Sequence, residues 1–338
     1  GAVQEHVPVS HGSHPGAAQP RRRVGRLQER VDLLQGCGPA DDAVHVLETV
    51  VQRLEGGTQG RRSGLSGGGD DFLVLPPACV LLGAGTAIWT QGRINPVYAV
   101  LDFVGAVASH ISVNALNEYF DFRSGLDLRT RPTPFSGGSG TLPARPELAR
   151  SALITGLVAM AITVLIGLYF LLVWGWSILP LGLLGLLAIL AYTPWVTHSP
   201  FLCLIAPGLG FGLLMVMGTD FVLTGEYTWT AFVASLVPTF LVSNLLLLNQ
   251  FPDVEADGSV GRRHYPIVLG RRKSSIIYGL FLFLAYLTIV VGVVLALLPV
   301  ASLLGLLTVL VAVPTVLGTC RYAEDLERLV PYLGYNVL

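Results

Sequence analysis

Beyond residue 71 the chain is a succession of long apolar runs separated by short polar stretches. A membrane-spanning helix needs about 20 mostly apolar residues. Eight runs approach that length: Phe72–Trp89, Pro96–Leu116, Leu148–Trp174, Ile178–Trp195, Phe201–Leu223, Trp229–Leu248, Ser275–Leu297 and Pro299–Leu317. The first carries Pro76-Pro77 near its start, so it reads as the later part of a helix. After the eighth the chain is polar, then turns apolar again at Val330-Pro331-Tyr332-Leu333. The pattern predicts an all-α polytopic bundle in lipid, occupying residues 71–338.

Residues 1–70 break the pattern. They are rich in Gly, Arg, Gln, His and Val and contain no Lys, Ile, Trp or Tyr. Only Val24–Leu34 and Val44–Leu54 have helical apolar spacing. Such composition cannot bury a core, and the segment reads as a disordered arm or as sequence foreign to the rest of the chain. No apolar run of signal type lies near residue 1.

Composition sharpens this picture. The 338 residues are 52% hydrophobic and only 13% charged, against roughly 25% charged in soluble domains. The net charge of −1 argues against a nucleic-acid partner. Cys37, Cys79, Cys203 and Cys320 are far apart and form no disulfide or metal pattern. Nothing in the sequence points to a protein partner; the bilayer is the expected surrounding.

The 13 basic residues after residue 71 are concentrated. Arg123, Arg129, Arg131, Arg145 and Arg150 lie between spans two and three. Arg262, Arg263, Arg271, Arg272 and Lys273 lie between spans six and seven. In an up-and-down bundle these two loops share a face, and positive loop charge marks the cytoplasmic side. The expectation is an integral protein of a prokaryotic plasma membrane with this face toward the cytoplasm.

The same two loops carry the chemistry. One begins NEYFDFRSGLD, with Asn117, Asp121 and Asp127; the other begins NQFPDVEAD, with Asn249, Asp253 and Asp257. Each opens Asn-x-x-x-Asp after an apolar helix, an internal repeat at one end of the bundle. Carboxylates beside a bilayer are costly and point to function. Four together repel unless cations lie between them. Mg²⁺ takes oxygen ligands and is commonly held by one or two carboxylates plus substrate phosphates. Flanking arginines can bind phosphate oxygens. A diphosphate head on a hydrocarbon tail fits that combination.

These two motifs resemble the aspartate-rich motifs of the UbiA-type intramembrane prenyltransferase superfamily. The longer Asp121–Asp127 spacing resembles the 1,4-dihydroxy-2-naphthoate (menaquinone) branch; Glu118 departs from the Asp common after the first Asn. The likeness covers roughly Phe72 to Leu338. It implies nine helices around a central cavity, so the chain is expected to lack the start of helix one and the last helix. It implies Mg²⁺-dependent transfer of a prenyl group from a polyprenyl diphosphate to an aromatic acceptor. Asp121 and Asp127 would hold one ion, Asp253 and Asp257 a second. Asn117, Asn249, Arg262, Arg263 and Lys273 would contact substrate. Arg123 and Arg131 either contact phosphate or enforce topology. Tyr192, in a Tyr-Thr pair, would lie near the reacting carbon. The general base is one of the aspartates or a water, and His198 and His264 read as solvated loop residues. Arg131–Arg145 is either a lid or a connector.

Other readings stay open. The acceptor could be 4-hydroxybenzoate, a glycerol phosphate lipid or a tetrapyrrole. A transporter would also use intramembrane acids and repeats, yet these acids lie at helix ends on one face; Asp102, at an interfacial depth in span two, is the exception. A CDP-alcohol phosphatidyltransferase would need a DG-x-x-A-R motif that the chain does not contain.

Overall fold

The computed structural model describes, besides Gly1, residues 74–129 and 140–337. The arm over residues 1–70, Arg131 and most of the Arg131–Arg145 loop lie outside the described residues. Each of the eight expected runs is helical. We label them α1 (Leu75–Gln91), α2 (Pro96–Ser124), α3 (Ala149–Trp174), α4 (Leu179–Ala191), α5 (Pro200–Thr224), α6 (Trp229–Asn249), α7 (Arg271–Val294) and α8 (Val300–Tyr322).

Not all of them are spans in their own right. Among the described residues, six helical stretches are long and apolar enough to cross a membrane. Two of the expected spans, α3 and α4, fall within a single stretch, Pro146–Ala191, interrupted at Gly175 with φ +69°. Taken alone, α1 has 17 residues and α4 has 13. Both are shorter than a bilayer requires of an untilted helix.

A further helix, α9 (Leu326–Val337), follows α8 over the stretch where the chain turns apolar again. Leu329 and Leu333 in it are fully buried against Leu247, Leu248 and Phe251. Its apolar residues recur at helical spacing on one side only. That pattern packs a helix against the bundle without giving it the length of a spanning run.

Close helix contact rests on small residues. Gly208 and Gly212 of α5 lie one turn apart against α6. A Cβ on Gly208 would sit 2.1 Å from the Thr239 carbonyl oxygen, and one on Gly212 the same distance from Thr239 Oγ1. In lipid, where apolar burial adds little, such backbone approach carries much of helix association. Between α2 and α3, Gly156 plays this part: its carbonyl accepts from Ser112 Oγ at 2.9 Å, and an added Cβ would strike Leu116. Residues Leu209–Val216 of α5 widen into a π-helix, a form that often marks functional segments.

Two carboxylates within the bundle are paired. Asp220 is fully buried and accepts from Thr86 and Thr228 at 2.8 and 2.9 Å. Asp102 accepts from Thr219 at 2.7 Å and lines the central cavity. Both carboxylates thus have the partners that burial demands.

Candidate active site

The repeat motifs occupy equivalent helix ends. Asn117 and Asp121 lie one turn apart on the last turns of α2. Gly125, at φ +77°, then ends the helix in a left-handed cap that an L side chain would strain. The turn beyond it brings Asp127 back to the cavity. In the second copy, Asn249 is the last residue of α6, Asp253 caps a short helix over Val254–Ser259, and Asp257 lies within that helix. The two loops meet: Arg129 donates to the Ser259 carbonyl at 3.2 Å. The tip of α4 is tied in as well, through the Arg263 N–H on the Thr197 carbonyl at 2.8 Å.

One arginine joins the two motifs. The Arg262 guanidinium is bound to the Asp121 carboxylate and reaches Asp257 Oδ1 at 3.2 Å. These side chains are largely buried, at 17%, 11% and 7% exposure, so the contacts are poorly screened. Asn117 donates to Asp121 Oδ2 at 3.0 Å and accepts from Thr193 Oγ1 at 2.9 Å. His264 is 2% exposed and bonds Asp257 Oδ2 through Nε2 at 3.0 Å. Burial, then the neighbouring Asp121 and Glu118 carboxylates, pushes Asp127 up to about 7, against the opposing pull of Arg262. The side-chain oxygen of Asn249 is buried and has no hydrogen-bond partner among the described residues.

Beneath this charged mouth lies a cavity of about 680 Å³, within the range of small-molecule sites. Its walls below the mouth are mostly apolar, from α3, α4 and the π-helical part of α5, including Leu171, Leu183, Leu186 and Leu214. A polar, acidic mouth opens directly onto an apolar body.

Of the sequence candidates, Asn117, Asp121, Asp127, Tyr192, Asn249, Asp253, Asp257 and Arg262 all line this cavity. Arg123, Arg263 and Lys273 do not; all three are exposed. Arg123 is two residues past Asp121, and residues two apart on a helix face different ways. Arg263 contributes its backbone N–H and leaves its side chain outside. Lys273 sits on the first turn of α7, beyond the Gly270 turn that redirects the chain. Arg131 lies outside the described residues. One reading changes: His264 is not solvated but locked on Asp257. Thr193, the second residue of the Tyr-Thr pair, fixes the Asn117 amide. His264 stands seven residues after Asp257, a spacing that pointed to no motif. His198, in contrast, is exposed.

The donor set suits a hard cation. It is dominated by carboxylate and amide oxygens, with the unpartnered Asn249 oxygen among them; the cavity's Cys203 sulfur is taken up by Gln250. Among the described residues no three acidic or histidine side chains converge on one point. Instead, the positive charge between Asp121 and Asp257 is that of Arg262.

Comparison with known proteins agrees with the geometry. The family model described as the UbiA prenyltransferase family matches residues 75–328. The 1,4-dihydroxy-2-naphthoate octaprenyltransferase of Bacillus subtilis (strain 168) is 28% identical over 184 residues, 53% of this chain and 57% of that protein. Its namesake from Escherichia coli (strain K12) is 27% identical over 213 residues, 58% of this chain and 65% of that protein. The chain thus matches less than two thirds of the length of either relative. The apo structure of a UbiA homolog from Aeropyrum pernix K1 superposes with a TM-score of 0.59 at 18% identity, covering 79% of this chain and 92% of that one. That likeness is one of fold.

Proposed function

The chain belongs to the UbiA prenyltransferase family, and on that premise we propose that it transfers a prenyl group from a polyprenyl diphosphate to 1,4-dihydroxy-2-naphthoate. One observation carries the reading: two Asn-x-x-x-Asp motifs, 132 residues apart, line one mouth of an apolar cavity with Arg262 between them. The names of the two relatives support the choice of acceptor.

Asp121 and Asp127 would hold one Mg²⁺, Asp253 and Asp257 another, with Asn249 offering a neutral oxygen. When bound, such ions neutralise charge on a leaving diphosphate. The chain's own residues do the rest. Arg262 is the one arginine lining the cavity among the described residues and can turn its guanidinium to diphosphate oxygens, where fork-shaped donors bind well. Asn117, held by Thr193, orients the Asp121 carboxylate. His264 does the same for Asp257. The apolar walls exclude water, so that as the C–O bond to diphosphate breaks the allylic carbon is taken by the acceptor ring instead of being hydrolysed, and the ring's carboxylate leaves as carbon dioxide. Tyr192 stands beside this space with its ring available to positive charge. The arginine-rich loops favour a prokaryotic plasma-membrane protein with the mouth toward the cytoplasm.

The test is transfer of radiolabelled prenyl groups in reconstituted membranes with Mg²⁺. Product formed from 1,4-dihydroxy-2-naphthoate and lost with EDTA supports the proposal. Product formed only from 4-hydroxybenzoate or a glycerol phosphate moves the acceptor within the family.

A further inference from the structure

The cavity face of α2 does not become apolar below the charged mouth. Asp121, Asn117, Asn114 and His110 follow one another at spacings of four, three and four, a single helical stripe, and all four line the cavity. At 1.5 Å per residue, Asn114 and His110 stand about 10 and 16 Å below Asp121. Neither belongs to the aspartate motifs. Polar side chains at this depth are costly and call for a partner.

Their arrangement is specific. His110 is 5% exposed, and its ring meets the Phe211 ring edge-on, at 5.4 Å and 68°. Phe211 comes from the π-helical segment of α5. The Asn114 amide nitrogen lies 3.1 to 3.2 Å from the His110 ring nitrogens and donates to the His110 carbonyl at 2.9 Å. That use of the nitrogen leaves the oxygen of Asn114, an exposed residue that lines the cavity, with no hydrogen bond from the described residues. The wall therefore offers an aromatic ring, an imidazole edge and a carbonyl oxygen together.

Neither half of a prenyl diphosphate matches this station. A hydrocarbon tail has no donor for the Asn114 oxygen, and a diphosphate would find no arginine or lysine here. A flat ring bearing a hydroxyl matches it: the hydroxyl donates to the oxygen, and the ring packs on Phe211. The height is compatible at the Asn114 end: an acceptor whose reacting carbon meets the carbon next to the diphosphate, beneath the Asp121 level, extends from there toward Asn114, two helical turns below Asp121.

We propose that Asn114, His110 and Phe211 form the acceptor subsite and select a hydroxylated aromatic ring. This rests on the prenyltransferase reading and adds to it the residues that choose the acceptor. The prenyl tail then runs along the opposite, leucine-lined wall.

The experiment measures KM for acceptor and for prenyl diphosphate separately, in the full chain and in Asn114→Ala, His110→Leu and His110→Gln. Asn114 is exposed, so its truncation leaves packing intact if His110→Leu does not fold. The expected result is an acceptor KM at least tenfold higher in Asn114→Ala and His110→Leu, with prenyl diphosphate KM within twofold and partial recovery in His110→Gln. Direct binding of 1,4-dihydroxy-2-naphthoate, followed by its fluorescence, should weaken in parallel. A naphthoate without hydroxyls should bind unaltered chain and Asn114→Ala equally weakly. An unchanged acceptor KM in Asn114→Ala, or an equal rise in both KM values, overturns the subsite. No transfer by the unaltered chain to any acceptor overturns the prenyltransferase reading itself, and the subsite with it.

Discussion

Replacing Arg262 by Gln removes the cation that joins the two acidic motifs. In the structure this guanidinium makes contacts to Asp121 and Asp257, with all three side chains at most 17% exposed. A hydrogen bond to a charged group contributes about 1.5–3 kcal/mol. Breaking a buried pair costs about 3–5 kcal/mol, because the surviving charge is left uncompensated. Without divalent ions, Arg262→Gln should therefore lower stability by about 3–5 kcal/mol, read as a drop in Tm in detergent. Added Mg²⁺ changes the comparison. In the variant the carboxylates have no internal competitor, and a ligand at one hundred times its Kd stabilises by about 2.7 kcal/mol. Mg²⁺ should thus recover most of the lost Tm in Arg262→Gln and raise the unaltered protein less. The order of effects is the informative part: a variant less stable without Mg²⁺ and more responsive to it. Equal Mg²⁺ responses in the two proteins, or none in either, would refute the idea that Arg262 stands where cations bind.

The raised proton affinity of Asp127 makes Mg²⁺ binding pH-dependent. A carboxyl held at about 7 is protonated below that pH and must release its proton to a metal. Mg²⁺ affinity should rise from pH 6 to 8, with proton release seen by calorimetry in two buffers, and Asp127→Asn should flatten the profile. For the metal-free fold the sign is opposite: folded Asp127 keeps a proton that the unfolded chain gives up near pH 4, so its contribution is present below that pH and fades as pH rises toward 7. At the α5–α6 contact, Gly212→Ala should cost about 1–3 kcal/mol of stability through overpacking on Thr239, whereas Gly210→Ala, with open space at its Cβ, should leave Tm unchanged. Lys273→Ala and Arg263→Ala, both off the cavity, should keep prenyl transfer within twofold, while Arg262→Ala should lose it by at least a hundredfold.

Much of the architecture is legible in the chain because lipid demands long apolar runs, and such runs are hard to mistake. The ends of Pro96–Ser124 and Trp229–Asn249 are marked by Asn117–Asp121 and Asn249–Asp253, so the charged mouth could be found from the repeat alone. What the pattern hides is direction and pairing. Arg262 and Arg263 are neighbours of identical type, and only the fold about Gly261, at φ +83°, turns the first inward. His264 is equivalent to His198 as a loop histidine until the short helix over Val254–Ser259 presents Asp257 to it. Helix α9 is amphipathic and too short to register as a span, although Leu329 and Leu333 bury completely. His110 and Asn114 pass unnoticed because two polar residues in a 29-residue helix do not interrupt its apolar character.

The central claim is that the two aspartate motifs act together on a prenyl diphosphate. Its most direct test is prenyl transfer to 1,4-dihydroxy-2-naphthoate by purified, reconstituted protein, comparing the unaltered chain with Asp121→Ala and Asp253→Ala. Mg²⁺-dependent product from the unaltered chain, and its loss in each variant taken singly, is the result the two-motif site predicts. Full transfer by either variant, or no diphosphate release by well-folded unaltered protein with any acceptor, would contradict it.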